Sequence, residues 1–263
     1  MMRALYSAAS GMAAQQTNVD NIANNLANAN TAGFKSRQVQ FQDLLYQNMV
    51  TPGASAGQQT TVPTGLQVGL GTRTSGNEVI FTQGNFQETD NPYDLVIQGK
   101  GFFQIKLANG ELAYTRAGSF QTDQNGILVD TNGNQLQPAI TIPADSQSVT
   151  IATDGTVSYT LPNQTASQTA GQIQLANFQN PAGLNSLGQN YFQPTDASGQ
   201  PVTGNPGGSE GLGTVLQGYT EQSNVSVVNE FINLIVAQRT YEANSKVVKA
   251  SDEMLQDVNN LKQ

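Results

Sequence analysis

Hydrophobic positions recur every seven residues at both ends of the chain. Near the N-terminus Leu5, Met12, Val19 and Leu26 follow one another at that interval, and Ala9, Gln16 and Ala23 fall four residues after the first three. A period of seven marks a helix with a coiled-coil-like seam. The spacing predicts one helix over the first thirty residues, weakened at Gly11 and ended by Asn30-Thr31-Ala32-Gly33, with Gly33 available as a left-handed cap. Between Ala4 and Ala32 the only charge is Asp20, while Asn residues crowd the second half. A solvated helix face usually carries Glu and Lys, so this one reads as a face that meets polar protein surfaces or a hydrated pore.

The C-terminal end repeats the pattern. Val227, Leu234, Tyr241, Val248 and Leu255 are seven apart, and Val228, Phe231, Ile232, Ile235 and Val258 widen the stripe. Asn224 or Ser226 is expected to cap the start, with Lys246, Lys249 and Lys262 toward the end, where the helix dipole favours cations. The simplest packing pairs the two helices with each other and with copies from other subunits. Two core helices of a monomer are the alternative.

Between the helices the pattern changes to short strand-like runs separated by turn dipeptides. Asn109-Gly110, Asn125-Gly126, Asn132-Gly133 and Asp154-Gly155 read as two-residue hairpins of type I′. Strands are expected over residues 102–107, 111–115, 149–152, 156–160 and 172–178, within an antiparallel β domain. Residues 46–71 contain no charge and are rich in Gln, Thr, Gly and Pro, and residues 195–213 read as a surface loop.

Composition narrows the chemistry. Only 11% of the 263 residues are charged, against roughly 25% in an ordinary globular domain. The absence of His and Cys excludes zinc fingers, Ser-His-Asp triads and thiolate chemistry. The turn sequences around Asp123 and Asp130 lack the calcium-loop spacing, and Gly99-Lys100-Gly101 lacks the spacing of a phosphate loop. Asp90 and Asp94 are separated by a Pro-Tyr turn and have no catalytic companion. The expectation is a non-enzyme with no cofactor and no metal. A net charge of −8 with 11 Lys and Arg argues against nucleic acid, and no apolar run is long enough to insert in a membrane. From Ala117 to Gln238 there are eight acids and no base, so the whole negative balance falls there. The first residues lack the long apolar centre of a secretory signal, so the chain is expected to stay in the cytosol or to leave without a cleaved signal.

The run from Asn21 to Lys35, and within it Asn24, Asn25, Leu26, Asn28, Asn30, Thr31, Gly33 and Phe34, closely resembles the N-terminal signature of the bacterial flagellar rod and hook proteins. Gln98-Gly99-Lys100-Gly101-Phe102-Phe103 is similar to the family's approach to its β domain. Residues 217–225 are similar to the family's entry into its C-terminal helix, and residues 237–246 to the middle of that helix. The uncharged segment 46–71, with Tyr46, Pro63, Gly65, Leu66 and Gly69, resembles the extra segment of the distal-rod branch, and residues 114–120 and 137–143 are similar to the β domain of that branch.

The resemblance implies an α+β chain whose long N- and C-terminal helices form a coiled-coil-like inner layer, with a central antiparallel β domain and an extended β-rich insert. Its parts would be an N-terminal assembly helix (1–32), a connecting segment (33–76) holding the insert (46–71), the β domain (77–218) and a C-terminal assembly helix (219–263). It also implies a helical homopolymer, a rigid hollow shaft across the periplasm that meets proximal rod proteins, the hook protein and the surrounding P and L rings. Export would be through the flagellar type III apparatus, for which Phe41 and Leu45 have the spacing of an export-gate motif, unless they are packing residues. The segment 46–71 would brace neighbouring subunits. A proximal rod or hook subunit is the alternative within the family. A β-rich extracellular adhesin or carbohydrate-binding module is the alternative outside it, though such a site calls for exposed aromatics and the chain has no Trp.

Overall fold

The computed structural model describes residues 2–52, 55–57, 60–61, 64–162, 164, 166–208 and 211–260. The chain forms α-helices at its two ends and antiparallel β structure between them. It divides into two compact units, one of Met1–Ala27, Arg37–Glu78 and Ser226–Gln263, the other of Asn28–Ser36 and Val79–Val225.

The first unit holds the helices α1 (Met2–Ala27) and α2 (Val227–Asn260). They run antiparallel: Gly11 abuts the Asn244 side chain, and Asn25 Nδ2 donates to Glu230 Oε1 at 3.3 Å. A Cβ at Gly11 would lie 2.9 Å from Asn244 Nδ2, so the residue expected only to weaken the helix marks a close approach of the two. Helix α1 ends at Ala27, short of Asn30-Thr31-Ala32-Gly33. Gly33 does adopt a left-handed φ of 71°, but its N–H donates to Glu221 O at 2.8 Å instead of closing the helix. Asn25 ties the last turns of the helix to the strand that follows: its side chain donates to Arg37 O at 2.8 Å and accepts from Arg37 N at 2.9 Å.

The packed stripe of α1 also differs from the expected one. Ala8, Ala14, Asn21, Ile22 and Asn25 are buried, whereas Ala9, Gln16 and Ala23 are exposed. Leu5, Met12, Val19 and Leu26 sit half-buried at the edge of the stripe. A heptad allows the step of four or the step of three after each of these residues; the burial takes the step of three, so Leu5, Met12 and Val19 go with Ala8, Gln15 and Ile22, one position earlier than expected. In α2 Leu234, Val248 and Leu255 are half-buried beside the buried Ala237 and Ser251, and Val227 and Tyr241 are exposed. Glu230 occupies the first turn, and the last turn of α2 carries no base. Lys246 and Lys249 lie more than two turns before the end. Lys262 and the Val258 side chain fall outside the described residues. Asn224 does not cap α2, because its side chain serves the second unit; the first helical bond is donated by Glu230 N to Ser226 O at 2.9 Å.

The strand Arg37–Asp43 pairs with Thr72–Val79, and between them rises the hairpin of Tyr46–Val50 and Leu66–Gly69. Thr72 N donates to Ser10 Oγ at 3.2 Å, which seats the base of this segment on α1.

The second unit is built on a nine-stranded antiparallel sheet. Its central strand, Phe102–Lys106, pairs with Leu112–Thr115, Gln135–Gln137 and Leu175–Asn177. Successive residues of this strand face opposite ways, and both faces are buried. Phe103 and Ile105 join a core with Leu95, Phe120, Leu136 and Val157, while Phe102 packs with Tyr114, Phe178 and Phe192. Aromatic pairs meet edge to face, at 5.7 Å for Phe102–Phe178 and 4.9 Å for Tyr114–Phe178.

Each of the four turn dipeptides closes a hairpin, but none as a two-residue type I′ turn. Gly110, Gly126, Gly133 and Gly155 have φ between 75° and 87°, and the residue before each is not left-handed. In each case the Gly N–H donates three residues back and the strands close one residue later, as in Gly110 N to Leu107 O and Leu107 N to Glu111 O, both at 2.9 Å. This is the three-residue loop, a type I turn followed by a left-handed glycine. In two of them the Asx side chain braces the loop: Asp154 Oδ1 accepts from Thr156 N and Asn109 Oδ1 from Glu111 N, both at 3.0 Å. The residues that are left-handed in pair are Gln189 and Asn190, which join Asn185–Gly188 to Tyr191–Gln193.

Two further expectations change. Residues 172–178 form no single strand: Gln168–Gln172 pairs with Thr156–Thr160, and Leu175–Asn177 turns into the large sheet. Buried Ile173 lies at the change of sheet and anchors it in the core. Within residues 195–213, Val202–Gly204 is a strand paired with Leu175–Asn177, and Ser198 and Leu212 are buried.

Candidate assembly site and buried ion cluster

The outward side of α2 is apolar. Val228 is 69% exposed and Ile235 57%, and Phe231, Ile232, Val236, Val247 and Met254 are also exposed. The stripe read from the sequence is thus wider than the helix pair can cover. What the pair does bury is mostly small or polar: Ala8, Ala14, Asn21 and Asn25 on α1, Ala237 and Ser251 on α2.

The segment 46–71 presents a second apolar surface. Tyr46, Met49, Val50 and Leu66 are exposed on its hairpin. Tyr46 lies over Gly69, where a Cβ would come within 3.4 Å of the ring, and Gly65 comes so close to Val50 O and Pro52 that a Cβ would sit 2.6 Å from both. Pro63 lies outside the described residues. Phe41 and Leu45 come just before the hairpin, and both are exposed, Leu45 to 87%.

The signature residues divide between structural roles. Asn21 and Asn25 both donate to Arg37 O, at 2.7 and 2.8 Å, and tie the helix to the strand that follows. Thr31 Oγ1 donates to Asn28 Oδ1 at 3.2 Å, and Ala32 O accepts from Asn190 Nδ2 at 3.0 Å. Gly33 is buried against Ala117, with no room for a side chain. Phe34 is half-buried; Asn24 and Asn30 are exposed.

Lys35, Arg116 and Glu221 form a buried ion cluster that the sequence reading did not foresee. Lys35 Nζ donates to Glu221 Oε1 at 2.6 Å and to Thr82 O at 2.8 Å. Arg116 Nε stands 3.7 Å from Glu221 Oε2, and Arg116 Nη2 donates to Gly99 O at 2.8 Å. Gly84 N donates to Glu221 Oε1 at 2.9 Å. Burial lowers the Lys35 ammonium below its ordinary value, with the Glu221 charge and hydrogen bond pulling the other way. Burial lowers Arg116 likewise, against the attraction of Glu221. Desolvation offsets much of the Coulomb gain of such a cluster, so its presence is weak evidence of net stabilisation. Asn224 lies alongside, accepting from Ser36 N at 2.7 Å and donating to Ile80 O at 2.8 Å. The available signal was indirect: in a charge-poor chain, each of the three charges sits in or beside a run that resembles the family. Asp94 is a turn brace, its carboxylate accepting from Thr89 Oγ1 at 2.8 Å and Asn91 Nδ2 at 2.9 Å.

Comparison with known proteins follows the same segments. Residues 5–35 match the family model for flagella basal body rod protein, residues 96–159 that for the flagellar hook protein FlgE/F/G D1 domain, and residues 216–261 that for the flagellar basal body rod FlgEFG protein C-terminal region. The chain is 50% identical over 262 residues to the flagellar basal-body rod protein FlgG of Caulobacter vibrioides, with 99% of this chain and 100% of that one covered. It is 47% identical over 261 residues to that of Buchnera aphidicola subsp. Schizaphis graminum, at 99% and 100% coverage. The chain belongs to the flagellar basal-body rod protein family. The rod-family likeness extends to the flagellar hook protein FlgE of Borreliella burgdorferi only in part, at 43% identity over 141 residues that cover 52% of this chain and 31% of that one. Each of the three matched rod-family segments supplies one member of the buried cluster: Lys35, Arg116 and Glu221.

Proposed function

We propose that this chain is the structural subunit of the flagellar distal rod. Copies polymerise into a rigid, hollow helical shaft that carries torque across the periplasm to the hook. The observation that carries this reading is the exposed apolar side of α2, which the antiparallel partner leaves uncovered. Repeated head-to-tail contacts of this kind generate an open filament. In the filament the α1–α2 pairs form the inner layer, with Leu5, Met12, Val19, Leu26, Val227 and Tyr241 facing neighbouring copies in a coiled-coil-like arrangement. Segment 46–71, through Tyr46, Leu66 and the glycines that shape its hairpin, braces adjacent subunits. Full-length likeness to proteins named FlgG favours the distal rod over a hook or proximal-rod subunit. By the same reading the partners are proximal rod proteins, the hook protein and the P and L rings. Export is through the type III apparatus, with exposed Phe41 and Leu45 free to be read.

The test is polymerisation of the purified chain. Ile235→Asp places a charge on the exposed side of α2. The variant is expected to keep the wild-type circular dichroism spectrum and to remain unsedimented at concentrations where the wild type forms filaments. Filaments from Ile235→Asp at the wild-type concentration would sink this assignment of the assembly face.

A further inference from the structure

The second unit contains a cavity of about 320 Å³ whose lining includes Phe81, Phe102, Phe178, Lys100 and Arg116. Among the described residues no carboxylate lines it, although the unit carries eleven acids and four bases. Arg116 is only 4% exposed and its guanidinium lies 5.8 Å from the centre of the Phe102 ring. Its Nη1 is buried without a hydrogen-bond partner. Lys35 and Arg116 share the single carboxylate of Glu221, so the cluster behind the cavity holds one positive charge more than it compensates. Lys100 extends the positive character outward. It is exposed, forms no ion pair among the described residues, and follows Gly99, whose carbonyl holds Arg116. Its neighbours Gly99 and Gly101 have φ of 110° and 137°, a backbone course that brings a lysine to the cavity beside a buried arginine.

We propose that this cavity is a carboxylate socket, which in the polymer receives an Asp or Glu side chain from the β-rich unit of a neighbouring copy. The inference rests on the polymer reading above. Of the unit's four bases, Lys35 and Arg116 are buried, leaving Lys100 and Lys106 as its exposed cations. Contacts between units this acidic are repulsive unless an acid meets a cation. The socket offers one ammonium at its surface and one guanidinium with an unused donor inside, the pairing that gives strong charge-assisted bonds. Its phenyl walls accommodate the methylenes of the incoming side chain.

The experiment uses filaments of the full chain assembled from equal parts of ordinary and heavy-isotope-labelled subunits, treated with a water-soluble carbodiimide. The reagent joins an amine to a carboxylate that touches it. Mixed-isotope peptides linking Lys100 to an acid within residues 79–225 are the expected product. Lys100→Arg keeps the charge and should assemble near the wild-type critical concentration with no such link. Lys100→Met should raise that concentration about tenfold without moving the unfolding midpoint of the monomer. Filaments in which Lys100 is linked to no neighbouring acid, or Lys100→Met filaments forming at the wild-type concentration, overturn the socket alone. A wild-type chain that never polymerises overturns the subunit reading and the socket together.

Discussion

Glu221 holds two buried cations, and its removal is the most consequential single change the structure exposes. Glu221→Ala leaves Lys35 and Arg116 desolvated with no counter-charge, and costs about 3–5 kcal/mol, read as a lower urea midpoint for the β-rich unit in the full chain. A loss under about 1 kcal/mol would mean that water reaches the cluster. Two tyrosines give a second test at this scale. Burial raises the pKa of Tyr114, and burial followed by the hydrogen bond to Asp130 raises that of Tyr191. In the unfolded chain both ionise near 10, so folding stability is retained below that pH and falls as pH climbs from there through the raised native values. Lys35 has the opposite sign. Its lowered native value means that stability rises between that value and 10.5. A phenolate absorbance titration should therefore show two of the eight tyrosines ionising only late or on unfolding. A single transition near 10 for all eight would refute the burial of both.

Helices α1 and α2 pack through alanine, asparagine and serine, so the pair buries little large apolar surface; Ile22 is the exception on α1. Each fully buried aliphatic side chain contributes about 1.5–3 kcal/mol, against about 1–2 kcal/mol for ordering the backbone of every residue. The pair alone is therefore marginal, and under the proposed assembly its ordering would be completed by copies that cover the outward side of α2. Light proteolysis of the monomer should remove both helices and leave a fragment within residues 79–225, whereas filaments should resist. Equal resistance of the helices in the monomer would mean that they are stable without neighbours. The β elements differ in kind. Their strands bury both faces of Phe102–Lys106, and every hairpin closed by a left-handed glycine fixes its own register.

On the scale of the whole molecule, the described residues place exposed apolar surface on α2 and on the hairpin of segment 46–71, in a chain that is acidic. Surfaces of this kind mark places where proteins meet. Both belong to the first unit, while the negative balance falls on the second. Deleting residues 46–71 leaves the exposed side of α2 intact, so filaments are expected to form and to be flexible or curved in electron micrographs. Straight filaments from the deletion would assign the bracing to another part of the chain.

Elements formed by near neighbours were legible in the residues. The seven-residue period located both helices, Asn-Gly and Asp-Gly located four hairpins, and the run from Asn21 to Lys35 pointed to the rod and hook family. Each depends on residues a few positions apart, whose preferences act through local sterics and hydrogen bonds. Tertiary structure alone decided the rest. Which side of α1 is buried turned on one residue of phase, a choice between two heptad readings that the residues of α1 alone leave equal. The form of the hairpin loops followed from strand register. Lys35 and Glu221 lie 186 residues apart, and no local preference reports that folding brings them within 2.6 Å in a place without water. Only the packed chain fixes such a distance, because the partners of a buried charge are chosen by topology and not by sequence neighbours.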